Sequence, residues 1–402
     1  MRRIAERSFR DVLGGEAEKW VAEGLITADQ AAALRGRYEA SGAAQVESRS
    51  RAASVLAVIG AIAVGVGVIG FIAANWEGIS HGLRLALLTI AISGAYAGAY
   101  HFRERTRNHP HIGEVLYLLG VLLFGASLFL VGQMYNVEAH DPLALLIWAA
   151  AAVSVAIVVR SRPVAWAALL IFSGWIGFEA GTAIDDSDYD VSTLPVIAVL
   201  YGGALYGLGT ACVTRIREAW FVETGFAPAA RRLGLLLAVS GLFVFTFAGA
   251  TDELGGSARE LSGVFAAGLV VLAVLALAGA AALAMTARPS ARYEAAALAV
   301  AVVTVLLAAY AGGNGHLYAL LFNLLLAAVA LGIIYVGYLS DETWLVNFGV
   351  VIVAADLIAR YFDVFWSALP RSLGMIGAGV LILGIAFVLE RQRKRLLTRM
   401  DA

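Results

Sequence analysis

Asp356 and Arg360 stand four residues apart, acid first, inside an otherwise apolar stretch. On a helix this spacing puts both side chains on one face, in the order that favours an ion pair. Ionisable residues within a membrane span are costly unless paired, and they often line transport paths. The pair therefore has two readings, a structural bridge or an ion-coupling element. A second set of polar side chains collects where apolar runs end: Asn75 with Trp76, Gln133 with Tyr135, and Glu179. Gln133 lies in FLVGQMYNVEAHDPLALLIW, close behind Leu128, Phe129, Leu130 and Val131. Trp and Tyr at a span end serve as interface anchors. Gln133 and Glu179 need a different account, because polar groups close to hydrocarbon tend to face a cavity or a partner. Together these five residues make a candidate site for a polar or cationic solute.

Other motifs do not hold up. GVGVIG at 65–70 has the glycine spacing of a nucleotide fingerprint but lies inside an apolar run, with no acid of the required kind downstream. Ala53, Ala57, Ala61 and Gly65 instead step every four residues, as do Gly203, Gly207 and Ala211, and small residues at this spacing let helices approach closely in lipid. DDSDYD at 185–190 begins like a calcium loop, yet Val191 and Ile197 stand where glycine and glutamate belong. The 6 histidines form no zinc-binding pattern. The two lysines, Lys19 and Lys394, are not followed by Ser or Thr, which removes a P-loop. Cys212 is the single cysteine, so no intramolecular disulfide can form. No metal, cofactor or catalytic constellation is expected, and the chain reads as a non-enzyme.

The elements that would position these residues follow from hydropathy. The 402-residue chain is 60% hydrophobic and only 15% charged, whereas a soluble surface needs roughly 25%. Apolar runs of span length give twelve candidate helices, at 52–75, 83–102, 112–134, 143–159, 163–183, 194–214, 232–250, 261–284, 293–312, 318–338, 343–361 and 372–389. The fourth is short, and 160–162 is left as a tight turn. Of 29 basic residues, all but Arg84, Arg259, Arg360 and Arg371 fall on one side with both termini, which makes that side cytoplasmic. The opposite side carries the acidic excess, and a negative outer face concentrates cations. The 339–342 connection is the exception to the inner pattern, with Asp341 and Glu342 but no base.

Residues 1–50 form a cytoplasmic head, 51–390 a helix bundle and 391–402 a basic tail. Within the head, Thr27 and Gln30 have the spacing of a capping box. Trp20, Leu25, Ile26, Leu34 and Tyr38 supply an apolar surface too small to stand alone, and so expected to dock on the bundle, a second copy or a partner.

EKWVAEGLITADQAAALRGRY, followed by ASVLAVIGAIAVGVGVIGFIAANWEGI, then GQMY and a C-terminal NFGVVIVAADLIARYFDVFW, resembles the bacterial membrane proteins of domain-of-unknown-function family 2157. The resemblance implies a polytopic membrane protein with a short cytoplasmic head and carries no catalytic role. The expected fold is an all-α transmembrane bundle of about twelve spans in a bacterial inner membrane. Its expected function is binding or passage of a small cationic or polar solute, with a membrane scaffold or sensor as the alternative.

Overall fold

Proline punctuates this chain at helix starts. Pro110, Pro163, Pro195 and Pro228 stand in first turns, Pro142 is an N-cap, and Pro289 precedes a helix by two residues. These are the positions where a missing N–H costs nothing. The computed structural model describes residues 19–31, 80–107, 109–135, 142–185, 192–215, 224–252, 263–286, 288–311 and 314–365, with scattered positions in 56–70 and 379–384.

Every regular element among the described residues is a helix. The membrane-length helices begin with α1 (His81–Tyr100), which runs into a π-helical turn at His101–Arg105, α2 (Pro110–Met134), α3 (Leu143–Val159) and α4 (Arg162–Asp185). There follow α5 (Thr193–Arg215), α6 (Phe226–Val244), a single turn α7 (Ala248–Asp252), α8 (Gly263–Ala284), α9 (Ala291–Ala311), α10 (Gly315–Leu339) and α11 (Thr343–Phe365). Nine helices among the described residues are long and apolar enough to cross a membrane, and α3, at 17 residues, is the shorter apolar helix. The spans expected at 52–75 and 372–389 lie largely outside the described residues, as do Asn75, Trp76, Leu34 and Tyr38. The turn between α3 and α4 is as tight as expected, with Arg160 at φ 48°.

The seventh span is corrected. It runs from Phe226 to Val244 rather than 232–250, and the backbone leaves the helix at 245–247 before α7. Hydropathy placed the start at Arg232, leaving Arg231 in the connection. The structure instead takes Arg231 into the helix, where ion pairing offsets its burial.

The chain divides into two compact units, Met1–Ala126 and Ser127–Ala402. In the first, the head shows the expected capping box: Thr27 N–H donates to Gln30 Oε1 at 2.9 Å and Gln30 N–H to Thr27 Oγ1 at 3.3 Å. The preceding helix stops at Gly24, whose φ of 70° suits glycine. Leu25 N–H and Gly24 N–H donate back to Trp20 and Val21 carbonyls, a Schellman closure. Trp20 and Ile26 are half-buried, and Leu25 is 68% exposed. Elsewhere in this unit Ala95 of α1 packs against Leu119 and Leu123 of α2.

In the second unit α5 is the central helix, packed on α6, α8 and α9. The core includes Leu200, Leu242, Phe245, Leu283, Phe322, Leu326 and Leu345, all fully buried. Small residues bring the backbones together, as the sequence suggested, but through two seams. Gly207 meets Gly279 of α8, where an added Cβ would stand 2.7 Å from a backbone carbon. One helical face round, Gly202 lies directly against Gly234 of α6, backbone on backbone.

Candidate functional site

Three arrays of polar side chains sit among the apolar helices of the second unit. The first is a cleft of about 780 Å³ between α4, α5 and α8. Phe172, Trp175 and Tyr201 make an aromatic wall, while Leu205, Leu269 and Leu272 supply aliphatic surface. Glu179 also lines the cleft, and among the described residues nothing hydrogen-bonds or ion-pairs with its carboxylate. Ser173 ties the cleft together, donating to the Leu169 carbonyl at 2.7 Å with its oxygen 3.1 Å from the Tyr201 hydroxyl. The arrangement offers one carboxylate and aromatic faces around an apolar floor, which suits an organic cation.

Gln133 and Tyr135 lie on the last turn of α2 and just beyond it, both exposed. Neither is in the wall of this cleft, and neither is Asp356. Of the five residues grouped from the sequence, the cleft takes Glu179 alone, while Asn75 and Trp76 fall outside the described residues.

The second array lies where α6 and α9 begin and α10 turns into α11. Glu342 is its centre. Its carboxylate accepts from Arg231 Nη1 at 2.8 and 2.6 Å, from Arg288 Nη2 at 2.9 Å and from Trp344 Nε1 at 2.7 Å. Arg231 is only 6% exposed and stacks over Trp344 and Tyr206, with ring centroids 5.2 and 6.0 Å away. A turn with Asp341 at φ 59°, a conformation aspartate tolerates, presents Glu342 to its partners. This array explains the base-free 339–342 connection: its cations come from α6 and from the α8–α9 connection. Next to it, Glu294 in the first turn of α9 accepts from the Tyr206 hydroxyl at 2.6 Å and the Ser290 hydroxyl at 2.7 Å. Ser290 Oγ lies 2.9 Å from Ser340 Oγ. Tyr206 and Glu294 form the polar edge of a second cavity, of about 190 Å³, among α5, α6, α9, α10 and α11. Sequence reading missed this whole array, because Tyr206, Arg231, Glu294 and Glu342 are widely separated and share no motif.

The third array closes the break after α6. Asp356 and Arg360 do approach, at 3.7 Å, so the spacing argument holds. Arg360 nevertheless has tighter partners: the Thr246 carbonyl at 3.1 Å, Thr246 Oγ1 at 2.9 Å and Asp363 at 3.0 Å. Its guanidinium also stacks over Phe247, 4.4 Å from the ring centre. Asn323 of α10 donates to the same Thr246 carbonyl at 2.9 Å. Non-helical backbone at membrane depth must be satisfied by protein, and Arg360 with Asn323 does this for the Thr246 carbonyl. Asp356→Asn is accordingly expected to cost about 1 kcal/mol or less, and Arg360→Gln about 1–2 kcal/mol. Thermal melts of the purified variants give the comparison. Equal losses would mean that Asp356, rather than Thr246, is the partner that matters.

No curated protein and no solved structure matches the chain. A family model described as Predicted membrane protein (DUF2157) matches residues 18–165, from the capped head through α3 to the start of α4. The chain is an α-helical membrane protein, and over those residues it is similar to this predicted membrane protein family.

Proposed function

We propose that this protein binds a small organic cation in the cleft between α4, α5 and α8 and passes it across a cytoplasmic membrane in which both termini face the cytoplasm. The observation carrying the reading is Glu179, a carboxylate with no ion-pair partner among the described residues, on an aromatic and aliphatic cleft. A carboxylate beside ring faces favours a cation with an apolar body over a neutral molecule of the same shape. The charge-derived topology supports it, since α4 then runs outward and Glu179 stands on the acid-rich side. Acidic residues there raise the local cation concentration before binding.

Tetrapropylammonium, too wide for the smaller cavity, is the probe, and tripropylcarbinol is its neutral counterpart. Calorimetry on the detergent-purified full chain is expected to show saturable binding of the cation. Glu179→Gln should weaken it roughly tenfold, about 1.4 kcal/mol, and leave the alcohol unchanged. Equal affinity for cation and alcohol, or no effect of Glu179→Gln, would remove the cation reading. A second reading, in which the head contacts a partner or second copy, draws on the 68% exposure of Leu25. It would be preferred if removing residues 1–45 changed oligomer size while the wild-type chain bound no cation.

A further inference from the structure

The cavity of about 190 Å³ beside Glu294 is closed off from the α4–α5–α8 cleft by the body of α5, and its chemistry differs. We infer that it is a second binding site, for a compact alkylammonium ion, with Glu294 as the counter-charge. The inference rests on the proposed cation reading only for the class of ligand.

Three observations lead there. Glu294 is 5% exposed, and its oxygens are held by neutral hydroxyl donors from Tyr206 and Ser290. Arg288 stands 3.8 Å from it, outside hydrogen-bonding distance, and is turned to Glu342 at 2.9 Å. Arg231 is likewise held by Glu342, at 2.6 Å. The two nearby guanidinium groups thus give their hydrogen bonds to one other carboxylate, and Glu294 keeps only the longer ion pair to Arg288. A buried carboxylate in that position is stabilised by a positive charge delivered into the cavity. Each of its oxygens keeps an unused lone pair, enough to receive an ammonium N–H.

The rest of the wall fixes the body of the ligand. Leu235, Val239 and Leu242 from α6, Leu298 from α9 and Ile333 from α10 surround the space. An apolar cavity of about 150 Å³ takes a benzene molecule, so this one accepts a ring of that size with a short ammonium arm. Quaternary ammonium heads are excluded, because they have no N–H to give Glu294 and are too wide. The two sites therefore differ in selectivity: the cleft takes a bulky cation and the cavity a compact one.

Benzylammonium and benzyl alcohol are the probes, titrated into the detergent-purified full chain. Benzylammonium is expected to bind at least tenfold more tightly than the alcohol. Glu294→Gln should erase that preference, and Tyr206→Phe should reduce it. Ala297→Phe, which fills the cavity from α9, should abolish binding of both probes, and it keeps the test open if Glu294→Gln fails to fold. Glu179→Gln should leave benzylammonium binding at the cavity intact. Equal affinity for amine and alcohol would show Glu294 to be structural only, with the cavity an unspecialised apolar void. Binding that survives Ala297→Phe but is lost in Glu179→Gln would place the compact cation in the cleft instead. In contrast, benzylammonium binding lost in Glu294→Gln alone, without tetrapropylammonium binding anywhere, would retain this site and discard the cleft.

Discussion

Replacing Gly234 with leucine is expected to keep the protein from accumulating in folded form, with a cost of about 3 kcal/mol or more. A Cβ at this position would run into the Gly202 carbonyl and the Tyr206 amide of α5. Those are backbone atoms held in a helix, so no rotamer change relieves the overlap and the two helices must move apart. Separation would also loosen the contacts of Leu235, Val239 and Leu242 on the adjoining face of α6, all part of the core. In lipid, helix association relies on this close packing, because water supplies no driving force between spans. Gly174→Ala on α4 is the control: nothing lies within 4 Å of its would-be Cβ, and the expected change is under about 1 kcal/mol. Folded yield and thermal melting by size-exclusion fluorescence compare them. Equal behaviour of the two variants would mean that the α5–α6 contact does not hold the unit together.

The second large effect is expected at Glu342. Glu342→Ala removes the carboxylate shared by Arg231 and Arg288, whose side chains are 8% and 20% exposed. A buried cation left without its partner costs about 3–5 kcal/mol. Trp344 would lose the acceptor for its indole N–H as well. Replacing Arg231 with methionine in the same chain should recover much of the loss, since an apolar side chain of similar length packs against Trp344 and Tyr206 without a charge to satisfy. Melts of the two single variants and the double form the cycle. A double variant no more stable than Glu342→Ala would show that the stranded charge is not the source of the loss.

Several elements of this protein were legible residue by residue. Thr27 and Gln30 announce a capping box because a cap is a local interaction, completed within three residues. The acid-before-base spacing of Asp356 and Arg360 is likewise local, and the two side chains do meet at 3.7 Å. Span positions followed from run length, since a helix rises about 1.5 Å per residue and the hydrocarbon core is about 30 Å thick. The long apolar runs matched α8 and α10 closely, where no charge interrupts the helix.

Tertiary structure decided everything that joins distant residues. Arg231 looks like a loop residue to any hydropathy window, because a window prices a guanidinium as if it were alone. The price changes once Glu342, 111 positions away, accepts its hydrogen bonds, and so α6 starts six residues earlier than the run suggested. Arg360 met its expected neighbour but is bound more tightly by Thr246, exposed for that purpose by a helix break that hydropathy cannot register. Glu179 could be singled out as polar in an apolar run, yet only the fold supplied Phe172, Trp175 and Tyr201 around it. Glu294 drew no notice, since a glutamate near a span end is ordinary in sequence. Its significance comes from packing: two arginines give their hydrogen bonds to Glu342, and the cavity beside Glu294 is left with a carboxylate whose one nearby cation is Arg288 at 3.8 Å. Local spacing is fixed by covalent geometry and so is written in the chain, whereas the compensation of a buried charge depends on which helices pack together, and no short stretch of sequence contains that.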